Sequence, residues 1–189
     1  MFPVGGVGAM LVGAVLSGVL AALLALTLRR RFGTTWAVTV ALLVWSVVCI
    51  GLLTLLPANG PVQVVFAEDR LPGCSFDYGG PAPDGFWIFS GGQRMLNTVI
   101  FVPSGALLVL TLARWRTAWV TVPIGLVLLA AYSVGIELTQ LELARLDRAC
   151  DVTDMVDNTT GALIGGIVGL ALLPVVRPWR HGRRSRTHP

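Results

Sequence analysis

Residues 36–56 read WAVTVALLVWSVVCIGLLTLL, a stretch without a single charge. Crossing a hydrocarbon core about 30 Å thick takes about 20 apolar residues at 1.5 Å rise each, so this stretch is long enough to span. Four further runs share its character: Pro3 to Leu28, Met95 to Ala113, Ala118 to Leu141 and Met155 to Val176. The only charges inside them are Glu137 in the fourth and Asp157 in the fifth. Composition agrees. The 189 residues are 54% hydrophobic and 13% charged, with a mean hydropathy of +0.76, whereas a soluble domain carries about 25% charged residues. A water-soluble globule is excluded, and the expected fold is an all-α, polytopic transmembrane bundle of five spans.

The first run has no basic residue before it, is followed by Arg29, Arg30 and Arg31, and exceeds the length of a signal-peptide core. It reads as a retained span. The arginines then set the orientation. Arg29–Arg31 lie between spans one and two, Arg114 and Arg116 between spans three and four, and Arg177, Arg180, Arg183, Arg184 and Arg186 after span five. These ten of the fourteen basic residues fall on one side, which predicts the N-terminus outside and the C-terminus inside. All ten carboxylates belong to the other, outer side, with Glu137 and Asp157 about one turn beneath it. The net charge of +4 is therefore a juxtamembrane signal that predicts contact with anionic lipid, and no nucleic-acid partner is expected. The organisation expected is two N-terminal spans (1–56), an extracytoplasmic loop (57–94), a three-span core (95–176) and a basic cytoplasmic tail (177–189).

The outer loop carries Pro57, Pro61, Pro72, Pro81 and Pro83 and an aromatic stretch, Phe86 to Phe89. That stretch suits either the headgroup level or packing on the protein's own surface. Cys49 lies mid-span as a small apolar residue. Cys74 and Cys150 are the two cysteines on the outer side, where thiol pairs oxidise, and they are the disulfide candidate. Sequence does not supply the Cα separation that a bridge requires.

Charges inside spans are costly and by default mark function. Span four brings Ser133, Glu137 and Gln140 to one helix face at i, i+4 and i+7, and span five does the same with Asp154, Asn158 and Gly161. Asn97 enters with span three, beside Arg94. Two such faces meeting would form a polar pocket at outer-leaflet depth. Structural roles compete with this reading. Asp151 and Asp154 have capping-box spacing, Asn97 and Gln140 suit interhelical hydrogen bonds, and Glu137 could be neutralised by Arg94, Arg145 or Arg148. Gly161, Gly165 and Gly169 let another helix approach, either span four or another subunit, and Pro103 is expected to kink span three.

Other chemistry is largely excluded. Both histidines, His181 and His188, sit in the basic tail, and neither a zinc spacing nor a phosphate-binding glycine loop is present. No cofactor is expected. Asp147, Asp151, Asp154 and Asp157 could at most offer oxygens to a divalent cation.

Three blocks, NTVIFVPSGALL (Asn97 to Leu108), SVGIELTQ (Ser133 to Gln140) and RACDVTDMVDNTTGALIG (Arg148 to Gly165), resemble those of the VanZ-like membrane proteins. By position, the resemblance picks out Asn97, Phe101, Pro103, Gly105, Glu137, Gln140, Arg148, Asp151, Asp154, Asn158 and Gly161. It covers roughly Met95 to Gly169. The two N-terminal spans, the outer loop, Asp157 and the cysteine pair are not part of its pattern. The family takes its name from a member linked to teicoplanin resistance. What the resemblance implies is a multi-pass protein of the bacterial cell membrane, acting near the outer leaflet of the envelope. The pocket residues are then Asn97, Glu137, Gln140, Arg148, Asp151, Asp154 and Asn158. Two functions fit: binding or excluding an amphiphilic ligand such as a lipoglycopeptide antibiotic, or membrane-embedded chemistry on a lipid headgroup with Glu137 as acid and Asp154 as base. A transporter fits less well, because no ionisable residue lies at the midplane. The oligomeric state is not legible.

Overall fold

The computed structural model describes residues 6–56, 73–78, 92–142 and 150–178. Five helices make up the fold: α1 (Val7–Phe32), α2 (Thr34–Leu55), α3 (Gly92–Leu112), α4 (Ala118–Glu142) and α5 (Val152–Val176). Each is long and apolar enough to cross a membrane, and no strand is present among the described residues. The large side chains that remain exposed are apolar along the helices' full lengths, for example Leu11, Val15, Val127, Leu128 and Ile167. Water would not tolerate so much contiguous apolar surface, while hydrocarbon accepts it. The chain is a multi-pass membrane protein.

The helices differ from the expected spans mainly at their ends. Arg29, Arg30 and Arg31 continue α1 by a turn rather than following it, and α3 begins at Gly92. Arg94 therefore stands inside a helix, not at the end of the outer loop. The proline expected to kink span three does not interrupt it, since α3 runs through Pro103 to Leu112.

A single residue, Gly33, turns α1 into α2. Its φ of +89° and ψ of 153° lie in a region essentially reserved for glycine. Its N–H donates to the Arg29 carbonyl and its own carbonyl accepts from Ala37, so one residue both closes α1 and starts α2. At this end, which we call the basic end, Arg114 donates to the Phe32 carbonyl and its guanidinium lies 5.5 Å from the Trp36 ring centre. Aromatic–arginine clusters of this kind sit well at a membrane interface.

α3 is the central helix, with half of its apolar window buried against 6% for α1. It runs parallel to α5 in very close contact. A Cβ at Gly161, Gly165 or Gly169 would fall less than 3.0 Å from the carbonyl oxygens of Thr98, Val102 and Ala106, and Gly105 returns the same fit toward Ala162. The partner of the glycine series is thus span three, not span four or a second subunit. Phe101, Ile50, Leu108, Leu129, Ile136 and Ala162 form the apolar core between α2, α3, α4 and α5. The order of antiparallel crossings brings the ends of α2 and α4 and the starts of α3 and α5 to one end of the bundle. That end also holds Cys74 and Cys150, and we call it the disulfide end.

Candidate functional site

Cys150 and Cys74 are joined by a disulfide, with their Cα atoms 4.5 Å apart across 76 positions of chain. The bridge brings residues 73–78 against the start of α5. There the Ser75 N–H donates to the Cys150 carbonyl at 2.8 Å, and the Val152 N–H donates to the Ser75 carbonyl at 3.0 Å. Asp151, extended at φ −129°, caps α5 by accepting the Thr153 N–H at 2.8 Å. This satisfies one of the donors that every helix start leaves open.

Ser133, Glu137 and Gln140 are all buried on α4, at 0%, 2% and 3% exposure. They share a face but divide between two neighbours. Glu137 accepts the Asp151 N–H at 3.2 Å, and the Ser133 hydroxyl accepts from Asn158 Nδ2 at 2.9 Å. Gln140 turns to α2 instead, its Nε2 donating to the Thr54 carbonyl at 2.9 Å. The polar face of span four therefore meets α5 through Ser133 and Glu137, and α2 through Gln140. Asp154 lies half-buried in the first turn of α5.

A second polar centre joins α3 to α5. Arg94 donates to both oxygens of Asp157, from Nε at 2.8 Å and from Nη2 at 2.7 Å. It also donates to the Tyr78 hydroxyl at 3.0 Å, which ties the disulfide-held segment to the same guanidinium. Asp157 is fully buried. A bidentate arginine–carboxylate pair is the geometry best able to offset burial of both charges. Arg94 therefore pairs with Asp157, where the sequence offered it to Glu137. Arg94 thus engages both oxygens of Asp157, while Asp151 accepts the Thr153 N–H through Oδ1. Among the described residues, no three histidine, cysteine, aspartate or glutamate side chains gather in a metal-holding group.

Two amide atoms stand out. Asn97 Nδ2 and Asn158 Oδ1 are buried and have no hydrogen-bond partner. Asn97 lies at i−4, i−7 and i−11 from Phe101, Ser104 and Leu108, all buried, so it shares the face that α3 turns to the bundle interior. Asn158 faces the same interior through its bond to Ser133. Leaving a buried amide donor or acceptor unmade costs about 1–3 kcal/mol, and most native structures leave few. Here an amide donor on α3 and an amide acceptor on α5 are both left open on faces turned to the bundle interior.

The structure brings together Glu137, Asp151 and Asn158 among the expected pocket residues, while Gln140, on the same face of α4, bonds to α2, and Asn97 lies on the inward side of α3. Arg148, with Arg145 and Asp147, lies outside the described residues, as do the aromatic stretch of the outer loop and the basic tail from residue 179 onward. Sequence reading missed the Arg94–Asp157 pair and the partner of Gln140. Charge counting could have found the pair, because Arg94 and Asp157 are oppositely charged and sit at the same ends of two spans. Nothing in the sequence marks the Thr54 carbonyl, a backbone group.

A family model described as VanZ/LLP1 matches residues 43–173. The match extends beyond the three blocks and starts within α2, the helix whose Thr54 carbonyl receives Gln140. No curated protein and no solved structure matches the chain. The match covers the whole of the four-helix polar interior, and the chain belongs to the VanZ/LLP1 family.

Proposed function

We propose that this protein resides in the bacterial cell membrane and uses the polar interior at its disulfide end to bind or exclude the polar head of an amphiphile at the outer leaflet. A lipoglycopeptide antibiotic, with its fatty chain and hydrogen-bonding head, is the ligand class in view. The observation that carries this reading is that Asn97 Nδ2 and Asn158 Oδ1 are buried without partners, with Asn158 bonded to Ser133, one turn of α4 from buried Glu137. A buried donor and acceptor without partners are best accounted for by a ligand that supplies both. The outer placement draws on two independent supports. Ten of the fourteen arginines gather at the opposite side, and a disulfide belongs to an oxidising compartment.

The test compares cells carrying no protein, the wild type, and an Asn97→Ala, Asn158→Ala double variant at matched membrane abundance, using a fluorescent teicoplanin-type lipoglycopeptide. The wild type should change retention of the probe at least about tenfold, the effect of roughly 1.4 kcal/mol, and the double variant should return it to the no-protein level. Equal retention in all three strains would overturn the reading. The burial of Glu137 beside half-buried Asp154 favours one other reading, acid–base chemistry on a lipid headgroup. That reading requires an envelope lipid species that appears with the wild type and is lost in a Glu137→Ala, Asp154→Ala variant.

A further inference from the structure

At the opposite end of the molecule, α1 and α2 leave a groove of about 500 Å³ between them. Gly18, Ala22 and Ala25 line it from α1, and Val38, Leu42 and Trp45 from α2. Its depth comes from the small residues on α1. Trp45 closes the far end, its Nε1 donating to the Ala14 carbonyl at 2.9 Å, and a Cβ at Gly18 would come within 3.2 Å of that nitrogen. The groove is apolar and faces outward, because Ala22, Leu42 and Trp45 are all exposed.

What distinguishes it from ordinary lipid-facing surface is how it ends. Gly18, Ala22 and Ala25 stand at i, i+4 and i+7, and i+11 is Arg29. The face that lines the groove therefore terminates in a guanidinium. The neighbouring arginines point elsewhere. Arg30 lies about 100° further round the helix, and Arg31 stacks over Phe32 at 5.3 Å. Arg29 is exposed and forms no ion pair among the described residues. On α2 the matching series, Trp45, Leu42 and Val38, leads to Thr34 at the first helical position, where Gly33 offers no side-chain cap.

We propose that this groove is a binding site for an anionic glycerophospholipid, with one acyl chain between α1 and α2 and the phosphate at Arg29. An apolar slot running into a free cation is complementary to that ligand at both ends. A second copy of this chain fits less well. A two-fold pairing of like-oriented protomers presents the same patch on both, so it would set two Arg29–Arg31 clusters against each other, whereas a lipid phosphate neutralises one. This site is separate from the polar interior and stands whether or not that interior binds an amphiphile.

Trp45 supplies the readout. The full chain, reconstituted in phosphatidylcholine vesicles, is titrated with dibrominated phosphatidylglycerol or dibrominated phosphatidylcholine. Subtracting the signal of Trp45→Phe isolates Trp45 from the other five tryptophans. Half-quenching should need about fivefold less of the anionic lipid, the preference that one arginine near a lipid surface supplies. Arg29→Gln should bring that ratio to about one, while Arg30→Gln leaves it unchanged. Equal quenching by both lipids in the wild type would overturn the proposal, as would equal losses from the two arginine variants. Shielding of Trp45 from both lipids would also overturn it, in favour of a protein occupant.

Discussion

At the level of single residues, the Arg94–Asp157 pair is the most exposed point of this account. Both charges are buried and mutually satisfied, so removing either leaves the other uncompensated. Asp157→Ala should cost about 3–5 kcal/mol of stability, measured by unfolding in mixed detergent. An Arg94→Met, Asp157→Leu double variant should recover most of that loss, because it removes both desolvation costs together. A double variant as unstable as the sum of the two singles would mean that the residues act separately. The sequence showed these two charges plainly but not their union. Asp157 looked like a foreign carboxylate in an apolar run, because a one-dimensional reading does not tell which face of α5 abuts the start of α3. Asp151 was easier, since a cap depends on neighbours two positions away, and local geometry is what spacing encodes.

The helices themselves were legible from hydrophobic run lengths, and their ends less so. α1 carries its arginines inside the helix because Gly33, not the charges, breaks it. The pairing of helices was hidden. Gly161, Gly165 and Gly169 announced a close approach without naming the approaching helix, since any backbone fits against a stripe without side chains. The structure puts α3 there, which makes the glycines unequal to others in the chain. Gly165→Ala should destabilise the bundle by at least about 1–3 kcal/mol, as overpacking does. Gly135, on α4, has nothing within 4 Å of a built Cβ, and Gly135→Ala should be neutral or stabilise by up to about 1 kcal/mol. Paired melting curves of the two variants check this. Equal effects would contradict the close α3–α5 approach.

For the molecule as a whole, charge asymmetry and disulfide chemistry point the same way. Ten of the fourteen arginines fall on one side by counting along the sequence and all ten carboxylates on the other, and the bridge between Cys74 and Cys150 belongs to the carboxylate side. A reporter active only in the periplasm, fused after Pro189, should therefore be silent, while one inserted in the 57–94 loop should be active. The reverse pattern would invert the orientation and move the polar interior to the cytoplasmic leaflet. Such a result would leave the fold untouched and remove the proposed ligand. The central claim is that the polar interior holds an amphiphile through Asn97 and Asn158. Its most direct measurement is equilibrium binding of a fluorescent teicoplanin-type lipoglycopeptide to the purified full chain in nanodiscs, with empty nanodiscs as the background. Saturable binding at one site per chain, weakened at least about tenfold by Asn97→Ala, Asn158→Ala, is the result predicted. Binding no greater than that of empty nanodiscs, or equally strong in the double variant, would contradict it.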